Sequence, residues 1–186
     1  MQKDWTKPKN GTSENTAAIL NSFHNDFKLV KELVYDKCGF ELENPIKNSE
    51  SVAYGAGSFL LNGKAIEFRV AKITPKKDGL FVAIWKRNEV GQTTPFALSD
   101  ALDFIIITVR NQNHFGKFVF PKIILAEKGI ITQNKKEGKR GIRVYPPWER
   151  ATNKQAEKTQ KWQSQYFLPL TTESSIDLSL MKTLLQ

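Results

Sequence analysis

Between Asn15 and Cys38, the apolar residues Ile19, Phe23, Phe27, Val30 and Val34 recur at intervals of four, four, three and four. That interval marks one face of a helix and predicts an amphipathic helix over about 15–38. Asn15 or Thr16 can cap its start, and Gly39 suits a left-handed stop. Residues 40–50, with Asn44 and Pro45, read as a loop. Beyond them the period shortens to strands. Ser58–Leu61, Asn62-Gly63 and Ala65–Ile73 read as a hairpin with a tight Asn-Gly turn. Lys77-Asp78-Gly79 offers a second turn before a third strand, Leu80–Trp85. That strand is apolar at every position, which predicts a central strand covered on both faces. Phe104–Val109 and Phe118–Leu125 read as further strands, with Pro121 demoting part of the second to an edge or bulge.

Residues 132–141 contain no apolar side chain and read as a mobile basic loop. Ile142–Tyr145 is a short strand stopped by Pro146-Pro147. Thr152 or Asn153 caps a helix to about Phe167. The order predicts an α/β (α+β) fold with a central mixed β-sheet flanked by helices. One domain spans 1–186, with residues 1–12, including the isolated Trp5, as a disordered arm. In the tail 171–186, Ile176, Leu180 and Leu184 at four-residue spacing predict a short docking helix.

Charge adds the main functional signal. The chain carries 28 Lys+Arg against 19 Asp+Glu, a net +9, yet residues 64–161 alone hold 20 basic and 9 acidic residues. Basic charge concentrated in one region is the electrostatic footprint of a polyanion binder. Solubility alone also accounts for a basic chain. The polar N-terminus, a single cysteine at Cys38 and the lack of any apolar run near 20 residues point to a cytoplasmic protein without a membrane span.

The candidate contacts fall in three places. Lys154, Lys158 and Lys161 share one face of the last helix, with Gln155 beside them. Gln155, Thr159, Trp162 and Tyr166 form a neighbouring stripe whose aromatics read as core. In Gly138-Lys139-Arg140-Gly141, the flanking glycines let the backbone approach a phosphate. Arg143 is placed to grip phosphate and Tyr145 or Trp148 to stack on a base, or Trp148 to plug the core. Lys72, Lys76, Lys77, Arg87 and Lys122 complete the basic set.

Catalysis would rest on Glu67, Asp78 and Lys86. A Mg²⁺-dependent nuclease needs acids and a lysine converging on the ion and its water. A two-residue turn at Asp78-Gly79 would pair Ala71 with Lys86 and put Glu67, Arg69 and Lys86 on one face. Glu67 is then as readily neutralised by Arg69 or Lys86 as it is a metal ligand. His24 and His114 are isolated, and no Gly-rich nucleotide loop or serine elbow is present.

The string Phe68-Arg69-Val70-Ala71-Lys72-Ile73-Thr74-Pro75-Lys76-Lys77-Asp78-Gly79, with Phe81-Val82 and Trp85-Lys86-Arg87, resembles the first block of the MepB-like family. Phe118-Val119-Phe120-Pro121-Lys122 resembles the second block. Gly138-Lys139-Arg140 with Arg143-Val144-Tyr145-Pro146-Pro147-Trp148 resembles the third. Gln155-Ala156, Thr159-Gln160-Lys161-Trp162-Gln163 and Tyr166-Phe167 resemble the fourth. The resemblance spans about 52–168 and implies a bacterial protein with a restriction-endonuclease-like fold. It carries no established reaction, and where an acid-x-Lys pair would stand this chain has Ile84-Trp85-Lys86. The expectation is a nucleic-acid-binding protein, in the first instance DNA-binding, on a nuclease-like fold without catalysis and without a cofactor. The alternatives are a Mg²⁺-dependent endonuclease and an interaction domain for an acidic protein.

Overall fold

The computed structural model describes residues 13–48, 51–170 and 176–186. The arm expected over 1–12 and the start of the tail, 171–175, lie outside the described residues. The predicted first helix is interrupted. Helix α1 (Ser13–Asn21) stops, and α2 (Asn25–Val30) restarts after it, running through a π-helical stretch, Lys31–Tyr35, into α3 (Asp36–Cys38). The break falls in Asn21-Ser22-Phe23-His24-Asn25, where side chains compete for backbone partners. Ser22 Oγ donates to the Ile19 carbonyl at 2.7 Å, and His24 Nδ1 accepts from the Asp26 N–H at 3.1 Å. Phe23, Phe27, Val30 and Val34 are still buried together, so the apolar stripe survives the break. Gly39 ends the element at φ 70°, as its position predicts.

The predicted loop at 40–50 is instead largely an edge strand, β1 (Leu42–Lys47), paired antiparallel with β2 (Gly57–Leu61). Its register slips between Glu43 and Ile46, where Asn44 has φ 48° and Pro45 sits. A proline in a strand is tolerated at such an edge irregularity. The Asn62-Gly63 turn is as expected, with both residues at positive φ, and it joins β2 to β3 (Lys64–Val70). Strand β8 (Phe104–Arg110) lies parallel to β3, and β9 (Phe115–Pro121) and β11 (Phe167–Pro169) follow antiparallel. The result is a six-stranded mixed sheet in the order β1-β2-β3-β8-β9-β11. The α+β class with a central mixed sheet flanked by helices is therefore as the sequence predicts. Pro121 does not bulge a longer strand. It ends β9 and leads into helix α4 (Lys122–Glu127), since its fixed φ suits a helix entry.

Side-chain alternation assigns the two faces of this sheet. Ile66, Phe68, Val70, Ile106 and Val119 pack beneath α2 and α3 and against α6 (Leu178–Leu184), the predicted docking helix. Ile105, Ile107, Val109, Phe118 and Phe120 face the opposite layer. That layer holds α4, α5 (Lys154–Gln163) and a second sheet of three strands, in which the middle strand, 80–83, pairs with 141–144 on one side and 72–73 on the other. These strands are β4 (Lys72–Ile73), β5 (Leu80–Ala83) and β10 (Gly141–Val144). A small hairpin, β6 (Trp85–Arg87) with β7 (Thr93–Pro95), continues from β5. Among the described residues, no helix is long and apolar enough to cross a membrane.

Candidate nucleic-acid interface

The second turn is longer than predicted. Ile73 pairs with Leu80 and Lys72 with Phe81, so residues 74–79 form a loop rather than a two-residue turn. Lys86 accordingly pairs with Thr94 in the β6–β7 hairpin, and the expected Ala71–Lys86 pairing is absent. Lys86 Nζ is ion-paired with Asp100, and Lys122 Nζ donates to the Asp100 carbonyl at 3.1 Å. Both lysines brace the loop ahead of β8. Asp78 sits in the 74–79 loop, where its carboxylate accepts from the Thr152 hydroxyl. Glu67 is elsewhere, buried on β3, with the Arg69 guanidinium 3.0 Å from its carboxylate. Glu67, Asp78 and Lys86 are thus each engaged with a different partner.

The acid-x-base triple that the sheet does form is Glu67-Phe68-Arg69. Both charged ends lie on the face toward the second layer, and the buried Ser58 sits directly across from Glu67 on β2. An arginine stands where the acid-x-Lys pattern has its lysine, and its guanidinium pairs with Glu67 within the fold. Among the described residues no three His, Cys, Asp or Glu side chains cluster as metal ligands would.

Arg143 acts on the protein itself. Its Nη1 donates to the carbonyls of Lys77, Asp78 and Gly79 at 3.3, 3.1 and 3.0 Å. Its Nη2 reaches Thr74 Oγ1 at 2.8 Å. One rigid fork therefore holds both ends of the 74–79 loop, and Lys76 and Lys77 are left exposed upon it. The Tyr145 ring lies against Gly79, where an added Cβ would come within 2.6 Å of it. Gly79, at φ 70°, is needed here on both counts.

Helix α5 abuts this loop. Asn153 caps it, accepting from the Ala156 N–H at 2.9 Å, and the Thr152–Asp78 bond ties its entry to the loop. The buried Gln163 accepts from the Tyr145 N–H at 2.8 Å and donates to the Arg143 carbonyl at 3.0 Å. Lys154, Gln155, Lys158 and Lys161 point into solvent. Trp162 and Tyr166 pack on Phe120, with ring centroids 5.2 and 6.0 Å away, in the core role read for them from the sequence.

The segment 132–141 is built rather than free-running. Gln133 and Lys136 bridge each other, and Lys139 N donates to the Ile130 carbonyl at 2.8 Å. Its glycines serve internal packing: Gly138 lies against the 130–132 backbone, and Gly141 lies under the Phe81 ring. Lys139 and Arg140 are exposed, with Arg140 also bonded to Glu137 at 2.9 Å and to the Thr93 carbonyl at 3.2 Å. Arg87 lies 5.6 Å above the Trp85 ring and donates to the Gly91 carbonyl. Trp148 packs in the core against Phe167, and His114 stacks on it at 5.0 Å. Lys72 lies 5.4 Å from the Tyr54 ring centre.

One buried lysine went unread in the sequence. Lys117, on β9, points inward with Phe115 and Val119. Its amine is 4.3 Å from the Tyr35 ring centre, and among the described residues neither Lys117 Nζ nor Tyr35 Oη has a hydrogen-bond partner. Burial pulls the Lys117 amine well below its ordinary value, opposed by nearby Cys38, and pushes the Tyr35 hydroxyl up. Strand alternation within Phe115-Gly-Lys-Phe-Val-Phe was the available signal.

Residues 48–169 match the MepB-like family profile. The structure is similar to the crystal structure of MepB, with 33% identity and a TM-score of 0.68, over 81% of this chain and 99% of that one. A bacterial homing endonuclease, I-Ssp6803I, aligns with 14% identity and a TM-score of 0.43, over 82% of this chain and 91% of that one. No curated protein matches.

Proposed function

The chain belongs to the MepB-like family, and on this scaffold we propose that it binds nucleic acid, DNA in the first instance, without cleaving it. The carrying observation is the 74–79 loop, locked by Arg143 and tied through Asp78 to the entry of α5. Exposed Lys76 and Lys77 thereby lie on a loop tied to the entry of α5, and that helix carries exposed Lys154, Lys158 and Lys161. Holding like charges side by side costs folding energy, and a phosphate backbone relieves that cost. Lys139 adds a further exposed lysine at the opposite end of the small sheet, where Gly141 pairs with Ala83. Glu67 in this reading is structural, neutralising Arg69 inside the fold.

The test is the triple reversal K76E/K77E/K154E, assayed by fluorescence anisotropy on labelled DNA with nucleic-acid-free protein. These positions are exposed, so the fold should persist and binding should be lost. Wild-type affinity in the folded triple variant would contradict the proposal. Shortened DNA on incubation with Mg²⁺, abolished in E67Q under conditions where that variant is still folded, would establish cleavage instead.

A further inference from the structure

Strand β5 departs from the rule that a wholly apolar strand is covered on both faces. Leu80 and Val82 are buried toward the main sheet, but Phe81, on the other face, stays partly in solvent. Cross-strand pairing puts Phe81 between Lys72 on β4 and Arg143 on β10, a cation–aromatic–cation row on the outer face of the small sheet. The Phe81 ring is seated over Gly141, where a Cβ would lie 2.6 Å away. Tyr54, from the 3-10 turn Val52–Tyr54, meets it edge to face at 6.0 Å. The ring is therefore oriented by its neighbours rather than free to collapse inward. Cations mark both ends of the face: the Lys76–Lys77 loop leads into β5, and Lys139-Arg140 leads into β10, the antiparallel neighbour.

We propose that this outer face, centred on Phe81 and Tyr54, is a base-stacking platform for single-stranded nucleic acid. The proposal rests on the nucleic-acid reading above and specifies its substrate. Flat aromatic faces with Lys72 beside them and the Lys76–Lys77 loop at one end suit unpaired bases with their phosphates alongside, because every base offers a π-face. In a duplex those faces are already stacked within the helix, and a ring on a sheet surface gains nothing from them. The apolar exposure and the surrounding positive charge have one complementary occupant, a polyanion that carries aromatic rings.

The experiment measures affinity of the full chain for labelled 15-mers of dT and rU and for a 15-bp DNA duplex, each across a salt series. The variants are F81L, which keeps apolar bulk and loses the aromatic face, Y54L, and K76A/K77A. The expected result is tighter binding to one or both single strands than to the duplex. In F81L, single-strand affinity falls about tenfold, the scale of losing one stacked base, with salt slope and duplex affinity unchanged. Y54L provides the same reading from a different element if F81L proves unstable. The dT and rU arms distinguish DNA from RNA. Folded F81L and Y54L with wild-type single-strand affinity, while K76A/K77A loses it, would overturn the platform and leave the nucleic-acid reading intact. No salt-sensitive binding to any probe would overturn both.

Discussion

Replacing Lys117 with methionine should stabilise this protein, although it removes a charged residue type from the centre of the chain. Lys117 is fully buried beside Tyr35, and its amine has no hydrogen-bond partner among the described residues. An unsatisfied buried polar group costs about 1–3 kcal/mol, and methionine fills similar space without that cost. For a chain of this size, a gain of that order raises Tm by about 2–12 °C at pH 7. The pH dependence gives an independent check. Burial lowers the folded-state pKa of Lys117 below its ordinary 10.5. In the window between the two values the folded amine is neutral and the unfolded one is protonated. The unfolded state then binds more protons, so this group makes stability rise with pH, by at most about 1.4 kcal/mol per unit. Urea unfolding of wild type and K117M from pH 6 to 8.5 stays below the ordinary values of Cys38 and Tyr35, both raised by burial. Wild type should gain stability toward pH 8.5 relative to K117M. A K117M variant less stable at pH 7, or a wild type that loses stability relative to K117M as pH rises, would refute the reasoning.

Three further outcomes follow from the geometry. E67Q should lose about 3–5 kcal/mol in urea unfolding, because Arg69 is left buried without its counter-charge; unchanged stability would mean Glu67 is not what holds Arg69. R143K should lose about 1.5–3 kcal/mol, since an ammonium cannot span the four acceptors the guanidinium reaches. Amide exchange over 74–79 should speed up in the same variant, and unchanged protection there would contradict the bracing role. Q163L should cost about 2–4 kcal/mol by thermal unfolding, as the Tyr145 N–H and the Arg143 carbonyl lose their shared partner.

The fold was legible where a local pattern coincided with a local cause. The Asn62-Gly63 hairpin, Gly39 stop, Asn153 cap and Phe104 strand all follow from residues within a few positions. The errors came where tertiary pairing overrode a local signal. Asn44-Pro45 reads as a loop, yet a bulge lets it join an edge strand. Asp78-Gly79 reads as a tight turn, yet Arg143, 64 residues beyond Gly79, stabilises a longer loop there. That slip in register moved Lys86 away from Glu67 and onto Asp100. The basic surface was legible as charge, but its division of labour was not. Arg143, Lys86 and Lys122 look the same in the sequence as the exposed Lys76 and Lys154, and only the folded partners separate bracing cations from presented ones. Phe81 was legible as apolar, and the sequence rule covering both faces of such a strand fails there, where the platform is placed.

If the presented lysines meet phosphates, wild-type binding to single-stranded DNA must weaken steeply with salt. Six lysines, Lys76, Lys77, Lys139, Lys154, Lys158 and Lys161, would give a slope of log affinity against log salt of about −4, at roughly 0.7 per single-strand phosphate. A slope near zero, or affinity unchanged between low and moderate salt, would contradict it.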